Sequence, residues 1–262
     1  MFFNNIDPVL LNFWNLEIRY YGIAYFLGFI TAYLFLYYYS KKGILKLTIE
    51  KIDSLLLYLI LGGVLGGRIG AILSDFAYYF ANPTEMLAFW HGGMSFHGGL
   101  IGTLIALFIF TKINKINFYE LADILVLPAS IGLFLGRLAN FTNHELYGKI
   151  TNVSWCTVFK DVDNYCRHPS QLYEALKNLF IFSVLWIAKE KRKKKGFLFW
   201  IFITLYGLLR FIIEFYRERT QLILGLTWTQ YACFMMFIVG SFILINNYGK
   251  DYKEKRKNRK RK

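Results

Sequence analysis

The stretch Asp53-Ser-Leu-Leu-Leu-Tyr-Leu-Ile-Leu-Gly-Gly-Val-Leu-Gly-Gly-Arg68-Ile-Gly-Ala-Ile-Leu-Ser-Asp-Phe-Ala77 decides the fold class. A bilayer core about 30 Å thick needs roughly 20 apolar residues per helix, and this stretch supplies that length. Its glycines suit close helix packing in lipid. Six further apolar runs flank it, at about 20–39, 93–111, 119–139, 170–188, 196–215 and 226–247. The sequence therefore predicts an all-α polytopic integral membrane protein with seven transmembrane helices. Residues 1–248 form its transmembrane domain, and 249–262 a basic tail. No basic region precedes the first apolar run, so the first membrane helix is expected to act as its own signal.

Composition agrees. Of 262 residues, 56% are hydrophobic and 19% aromatic, which leaves too little for the polar shell of a soluble domain of this size. The net charge of +14 raises the question of a nucleic-acid partner. Its distribution excludes one, because the cations sit in loops and in the tail. In that position they determine topology and meet anionic lipid headgroups. Alternate loops (41–51, 112–115, 189–195) and the tail 250–262 hold 21 Lys and Arg, against six in the opposite set. The positive-inside rule then places the N-terminus outside and the C-terminus in the cytoplasm.

The outer loop at about 140–169 carries Cys156 and Cys166. In an oxidising compartment they can pair, or they can remain two free thiols. Cys233, within the last run, reads as a packing residue.

Ionisable groups inside a bilayer are costly, and each is a functional hypothesis by default. Arg68, Asp123, Arg137, Lys177, Arg210 and Glu214 fall inside the runs, and His97 lies near the start of the third. At a rise of about 1.5 Å per residue, Arg68, Arg137, Arg210 and Glu214 stand roughly 21–27 Å from the cytoplasmic side. His97, Tyr20 and Tyr21 belong to the same outer half. One polar cavity opening toward the outer face would explain that common depth. Each residue also has a plain reading. Arg210 and Glu214, four apart, can be a simple helical ion pair. Arg68 and Arg137 can snorkel to headgroups. His97 can be a buried packing residue, and Asp123, about 6 Å from the inner end, an interfacial anchor. Lys177 has no partner that the sequence names. Snorkelling does not account for a His, a Glu and three Arg at one depth.

Three segments look built for chemistry. His91-Gly-Gly-Met-Ser-Phe-His97-Gly-Gly99 flanks an imidazole, the usual general base near neutral pH, with glycines that permit close approach. Gly136-Arg-Leu-Ala-Asn-Phe-Thr-Asn-His-Glu-Leu-Tyr-Gly148 offers a guanidinium, two amides, a His and a carboxylate. Arginine suits bidentate phosphate binding, and Asn can complete the hydrogen bonds. His168-Pro-Ser-Gln-Leu-Tyr-Glu174 opens the fifth run, where Pro169 and Ser170 also make a good helix start.

These three segments resemble the signatures of the bacterial prolipoprotein diacylglyceryl transferases. So do Gly66-Gly-Arg-Ile-Gly70, Tyr20-Tyr-Gly22 and Tyr206-Gly-Leu-Leu-Arg-Phe-Ile-Ile-Glu-Phe215. The matches follow in order from the first run to the sixth. There are departures. Ala139 and His144 stand where glycines are usual, Tyr147 where Trp is frequent, and Arg217-Glu-Arg-Thr-Gln221 replaces a more acidic sequence.

The resemblance implies transfer of a diacylglyceryl group from phosphatidylglycerol to the lipobox cysteine of a prolipoprotein, at the outer leaflet of a bacterial inner membrane. It implies Arg137 and Arg210 on the phosphate and His97 as base. Glu145, Asn140, Tyr21 and Gly148 would lie around the headgroup. Glu214 would hold Arg210, and Arg68 would be a third cation or a structural anchor. No cofactor or metal is expected, since His91, His97, His144 and His168 lack the spacing of a zinc site. The rival readings are a transporter using the intramembrane Arg/Glu/His cluster, an intramembrane protease around Ser95, and a non-catalytic scaffold. No inverted repeat or Asp dyad favours the first two.

Overall fold

The computed structural model describes residues 1–14, 16–88, 92–191, 194–218 and 222–248. His91, Arg219, Thr220, Gln221 and the basic tail 250–262 lie outside the described residues, as does part of the 189–195 basic run.

The chain divides into two compact units, Met1–Phe35 with Ala122–Lys262, and Leu36–Leu121. Its long helices are α1 (Tyr20–Lys41), α2 (Ile49–Ser74), α4 (Phe96–Ile113), α5 (Phe118–Thr142), α6 (Ser170–Ala188), α7 (Phe197–Ile213) and α8 (Trp228–Ile243), with a short α3 (Phe76–Ala81). Among the described residues, six helices are long and apolar enough to cross a membrane. The seventh expected span, α6, has the length but not that apolarity. It buries Gln171, Glu174, Lys177 and Asn178 on one face. The run expected at 53–77 ends early, because α2 stops at Ser74 and Asp75 caps the separate α3. Large apolar side chains face outward along the helices, as at Leu73, Phe108 and Phe242. A lipid-facing surface has this character, and a soluble protein avoids it.

In the unit Leu36–Leu121, α2 and α4 cross through glycine. A Cβ built on Gly70 would stand 2.7 Å from Gly98 Cα, and one on Gly66 would stand 2.8 Å from Gly102 Cα. Only residues without side chains let two backbones meet so closely in lipid, where dispersion replaces the hydrophobic drive.

The other unit departs from the purely helical expectation. Short strands β1 (Phe2–Asn4), β4 (Thr157–Phe159) and β5 (Cys166–Arg167) form a sheet in the order β1-β4-β5. The strands β2 (Val9–Phe13) and β3 (Leu16–Arg19) form an antiparallel hairpin. Cys156 and Cys166 are joined as a disulfide at the base of the β4–β5 turn, with Cα atoms 5.5 Å apart. Cys233 is buried on α8, and its carbonyl faces Gly207 of α7. Asp123 is fully buried, not an interfacial anchor. Its carboxylate accepts from the Gly196 and Phe199 backbone N–H groups, each at 2.8 Å, and so caps the start of α7. A carboxylate there satisfies otherwise orphaned donors and suits the positive end of the helix dipole.

Candidate active site

Helices α5, α6 and α7 bring their buried charges to one carboxylate. Glu174, with its side chain 2% exposed, accepts from Arg210 Nη1 at 2.8 Å through Oε1. Its Oε2 accepts from Lys177 Nζ at 2.7 Å and lies 3.7 Å from Arg137 Nε. Arg210 Nη1 also lies 2.7 Å from Glu214 Oε2, one turn on. Glu214 Oε1 accepts from Thr227 Oγ1 at 3.3 Å, and Arg217 Nη1 stands 4.0 Å from its Oε2. Lys177, which the sequence left unpartnered, bonds Glu174 and sits 3.8 Å from the Tyr206 ring centroid. Buried charges persist only when paired and hydrogen-bonded. The four cations and two carboxylates here leave a positive excess.

A second chain of contacts runs from Arg137 to the signature loop. Arg137 Nη1 donates to Asn140 Oδ1 at 3.2 Å. Asn140 Nδ2 donates to Glu145 Oε1 at 2.7 Å and to Tyr21 Oη at 3.0 Å. Gln171 Nε2 of α6 holds the Glu145 carbonyl at 2.7 Å, and Ser170 Oγ holds that of Leu146 at 2.8 Å. Ser170 therefore grips the loop and does not cap its own helix. Arg137 keeps 13% of its side chain exposed, while Arg210 keeps 7%. Arg217 keeps 17%, so Arg137 and Arg217 are the less buried cations of the cluster.

Two departures in the signature are accommodated locally. Ala139 is buried. His144 takes a left-handed backbone with φ 54°, the conformation that glycine adopts without cost. Its Nδ1 shares a 2.7 Å hydrogen bond with Asp161 Oδ2, and its ring packs edge-on against Phe159. Gly148 is hemmed in by backbone. A Cβ there would stand 2.5 Å from Tyr216 O and 2.6 Å from His168 Cβ. His168 lies 3.0 Å from the Tyr173 hydroxyl. Burial, helped by the nearby Lys149 charge, lowers its pKa and favours the neutral ring.

Of the residues singled out in the sequence, Tyr21, Arg137, Asn140, Glu145, Gly148, Arg210 and Glu214 belong to this unit. Arg68 and His97 belong to the other. There Arg68, 4% exposed, donates to the Ala88 carbonyl at 2.5 Å, to Tyr79 Oη at 3.2 Å and to the Gly93 carbonyl at 3.4 Å. These bonds tie α2 to α3 and to the segment before α4. His97 sits in the first turn of α4, after the Ser95 cap. Within its unit it is exposed, not packed in a core. The sequence reading left Glu174 without a role. Glu174 closes the motif that begins at His168 and lies inside the fifth apolar run, and its i, i+3 spacing to Lys177 puts the two on one helical face. Among the described residues, no group of His, Cys, Asp and Glu could hold a metal ion.

Known proteins resemble the chain over nearly its whole length. A family model described as prolipoprotein diacylglyceryl transferase matches residues 8–246. Proteins named phosphatidylglycerol–prolipoprotein diacylglyceryl transferase are among the curated relatives. The one from Geobacter sulfurreducens is 42% identical, covering 92% of this chain and 95% of its own. That from Nitratidesulfovibrio vulgaris is 40% identical, covering 92% and 95%. That from Rickettsia rickettsii is 40% identical, covering 93% and 98%.

Proposed function

The chain belongs to the prolipoprotein diacylglyceryl transferase family, and from that premise we propose that it transfers the diacylglyceryl group of phosphatidylglycerol to the lipobox cysteine thiol of a prolipoprotein. The observation that carries this reading is the buried carboxylate Glu174 holding Arg210 and Lys177 beside Arg137. A site that must receive a phosphodiester and release a phosphate monoester needs such organised cations.

In the proposed reaction a cysteine thiolate attacks the glycerol carbon that bears the phosphate. The new C–S bond forms as the C–O bond to phosphate breaks, and glycerol phosphate leaves with the electron pair. The thiol must first lose its proton, because the thiolate is the nucleophile. The departing oxygen gains charge, and preorganised cations lower the energy of that state most. Arg137 and Arg210 take that part. Glu174 and Glu214 hold Arg210 in place, and Asn140, Glu145 and Tyr21 meet the headgroup. As general base for the thiol we retain His97, on the strength of its glycine-flanked motif alone. The bonds of Arg68 favour the anchor over a third phosphate cation, and the crowding at Gly148 favours a backbone role over direct ligand contact. Seven spans, with α6 as the fifth, leave the termini on opposite faces, and the cation-rich alternate loops then favour an outside N-terminus and a site in the outer leaflet. A helix whose polar face turns inward onto partners can still span.

The test is transfer of label from glycerol-labelled phosphatidylglycerol to a lipobox peptide by the purified protein. Transfer by the wild type and its loss in Arg137→Ala are expected. Near-normal transfer by Arg137→Ala would remove the phosphate role. If His97→Gln keeps most activity, the proton goes instead to Glu145 or is shed beside an arginine. No transfer by folded wild type would overturn the assignment and favour transport.

A further inference from the structure

Arg167 lies outside every motif read in the sequence, yet its guanidinium joins three segments. It is 8% exposed, on β5 next to the disulfide. Its Nε and Nη2 donate to Asp163 at 3.0 and 2.6 Å. Its Nη1 donates to Glu218 at 2.6 Å and to the Gly148 carbonyl at 3.2 Å. The guanidinium also lies 4.8 Å from the Tyr147 ring centroid. Arginine alone can do this, because its planar fork offers five donors in fixed directions and stacks on aromatic faces.

The backbone shows what those contacts hold. Gly148 N–H donates to His168 O at 2.9 Å, and Lys149 N–H donates to Tyr216 O at 3.0 Å, while Gly148 bridges to Arg217. The end of the signature loop is therefore laid against the segment that follows α7. Upstream of this seam, Asn140 lies in the last turn of α5 and Glu145 in the loop that follows it. On the other side, Glu214 lies in the 3-10 turn that extends α7, and Arg217 lies at the seam itself. Arg167 fastens the seam from the side, through Gly148 on one strand and Glu218 on the other.

We infer that Arg167 is a positioning residue for diacylglyceryl transfer: by clasping Gly148, Tyr147 and Glu218 it sets the headgroup contacts of the signature loop against the Glu214–Arg210 pair. This rests on the transferase reading above. Arg167 touches no reacting atom in that reading. A small misplacement of groups that meet developing charge weakens the transition state more than the bound substrate. Its loss should therefore appear in kcat, with KM little changed.

The experiment measures kcat and KM for phosphatidylglycerol in the labelled-peptide assay, per folded molecule, for wild type, Arg167→Ala, Arg167→Lys and Glu218→Gln. Arg167→Ala should lower kcat by about 30-fold, with KM within about threefold. Arg167→Lys, which keeps the charge but not the fork, should recover part of that loss. Glu218→Gln should cost less than Arg167→Ala and add nothing to it in the double variant, since both act through one clasp. A purely structural role predicts fewer folded molecules with wild-type kcat each, and that outcome overturns the inference. Should Arg167→Ala fail to fold, the Lys and Glu218→Gln variants decide, and wild-type kcat in both overturns it. An inactive wild type would count against the transferase reading itself.

Discussion

Replacing Glu174 with Gln keeps the side-chain shape and removes one buried negative charge. Glu174 bonds Arg210 at 2.8 Å and Lys177 at 2.7 Å, and stands 3.7 Å from Arg137. With its side chain 2% exposed, water cannot replace the lost carboxylate. Removing one partner of a buried ion pair costs about 3–5 kcal/mol, because the other charge stays buried and uncompensated. In Glu174→Gln the amide nitrogen is also a donor, so one end of the side chain would face a cation with the wrong polarity. Two consequences follow. The variant should unfold more easily in detergent or bilayer, by about 3 kcal/mol. Arg137 and Arg210 would lose their common reference, and about 3 kcal/mol of transition-state stabilisation corresponds to roughly a hundredfold loss of kcat. The assays are thermal or denaturant unfolding and labelled lipid transfer, each normalised to folded protein. A second variant separates charge from shape. Lys177→Met in the Glu174→Gln background removes one stranded cation and should restore at least half of the lost stability. Wild-type melting and kcat within threefold of wild type in Glu174→Gln would refute the reasoning, and so would no recovery in the double variant.

Changing both Cys156 and Cys166 to Ser should destabilise the loop they close by about 2.7 kcal/mol, from the chain entropy of a ten-residue loop, measured as melting with and without reductant. Gly70→Ala should cost about 1–3 kcal/mol, because its Cβ would stand 2.7 Å from Gly98 Cα and the α2–α4 crossing would have to open. His144→Gly relieves a left-handed backbone but loses the bond to Asp161 and the contact with Phe159, so a net loss of about 1 kcal/mol is expected in unfolding experiments. The loop should also weaken on acidification. Burial depresses the His168 pKa below its ordinary 6.5, and the hydrogen bond from Arg167 depresses that of Asp163 below its ordinary 3.8. Stability from such groups is full above the unfolded-state pKa and is lost as pH falls through the folded value. Proteolysis of the loop across pH 7 to 3 should rise first with His168 and again with Asp163, and Asp163→Asn should abolish the second step.

Hydropathy made the helices legible, because lipid forces each crossing segment to be long, apolar and internally hydrogen-bonded. It made α6 legible as a helix of the right length, but not which of its charges mattered. Depth along a helix follows from a rise per residue. The partner of a buried charge depends on helix rotation and on which helices are neighbours, and a single sequence states neither. Glu174 was therefore in view as the end of a motif, while its bond to Arg210 of another helix was not. Lys177 could have been paired with it from spacing alone. Asp123 shows the same limit in another form. Its depth read as an interfacial anchor, whereas its carboxylate caps α7, some seventy residues on. The strands were invisible for a different reason. With two to five residues each, they are too short for alternation to show, and they exist because distant segments meet. His144 is the instructive case between these. Its identity, beside a signature that favours glycine, marked a backbone in question. The answer required Asp161, seventeen residues away, whose carboxylate gives the imidazole a partner that a bare glycine would not need. A substitution that breaks a local rule can thus be held by a contact supplied elsewhere in the same chain. The Arg167–Glu218 pair fits that logic, since Glu218 lies in the segment that departs from the usual sequence after the sixth run.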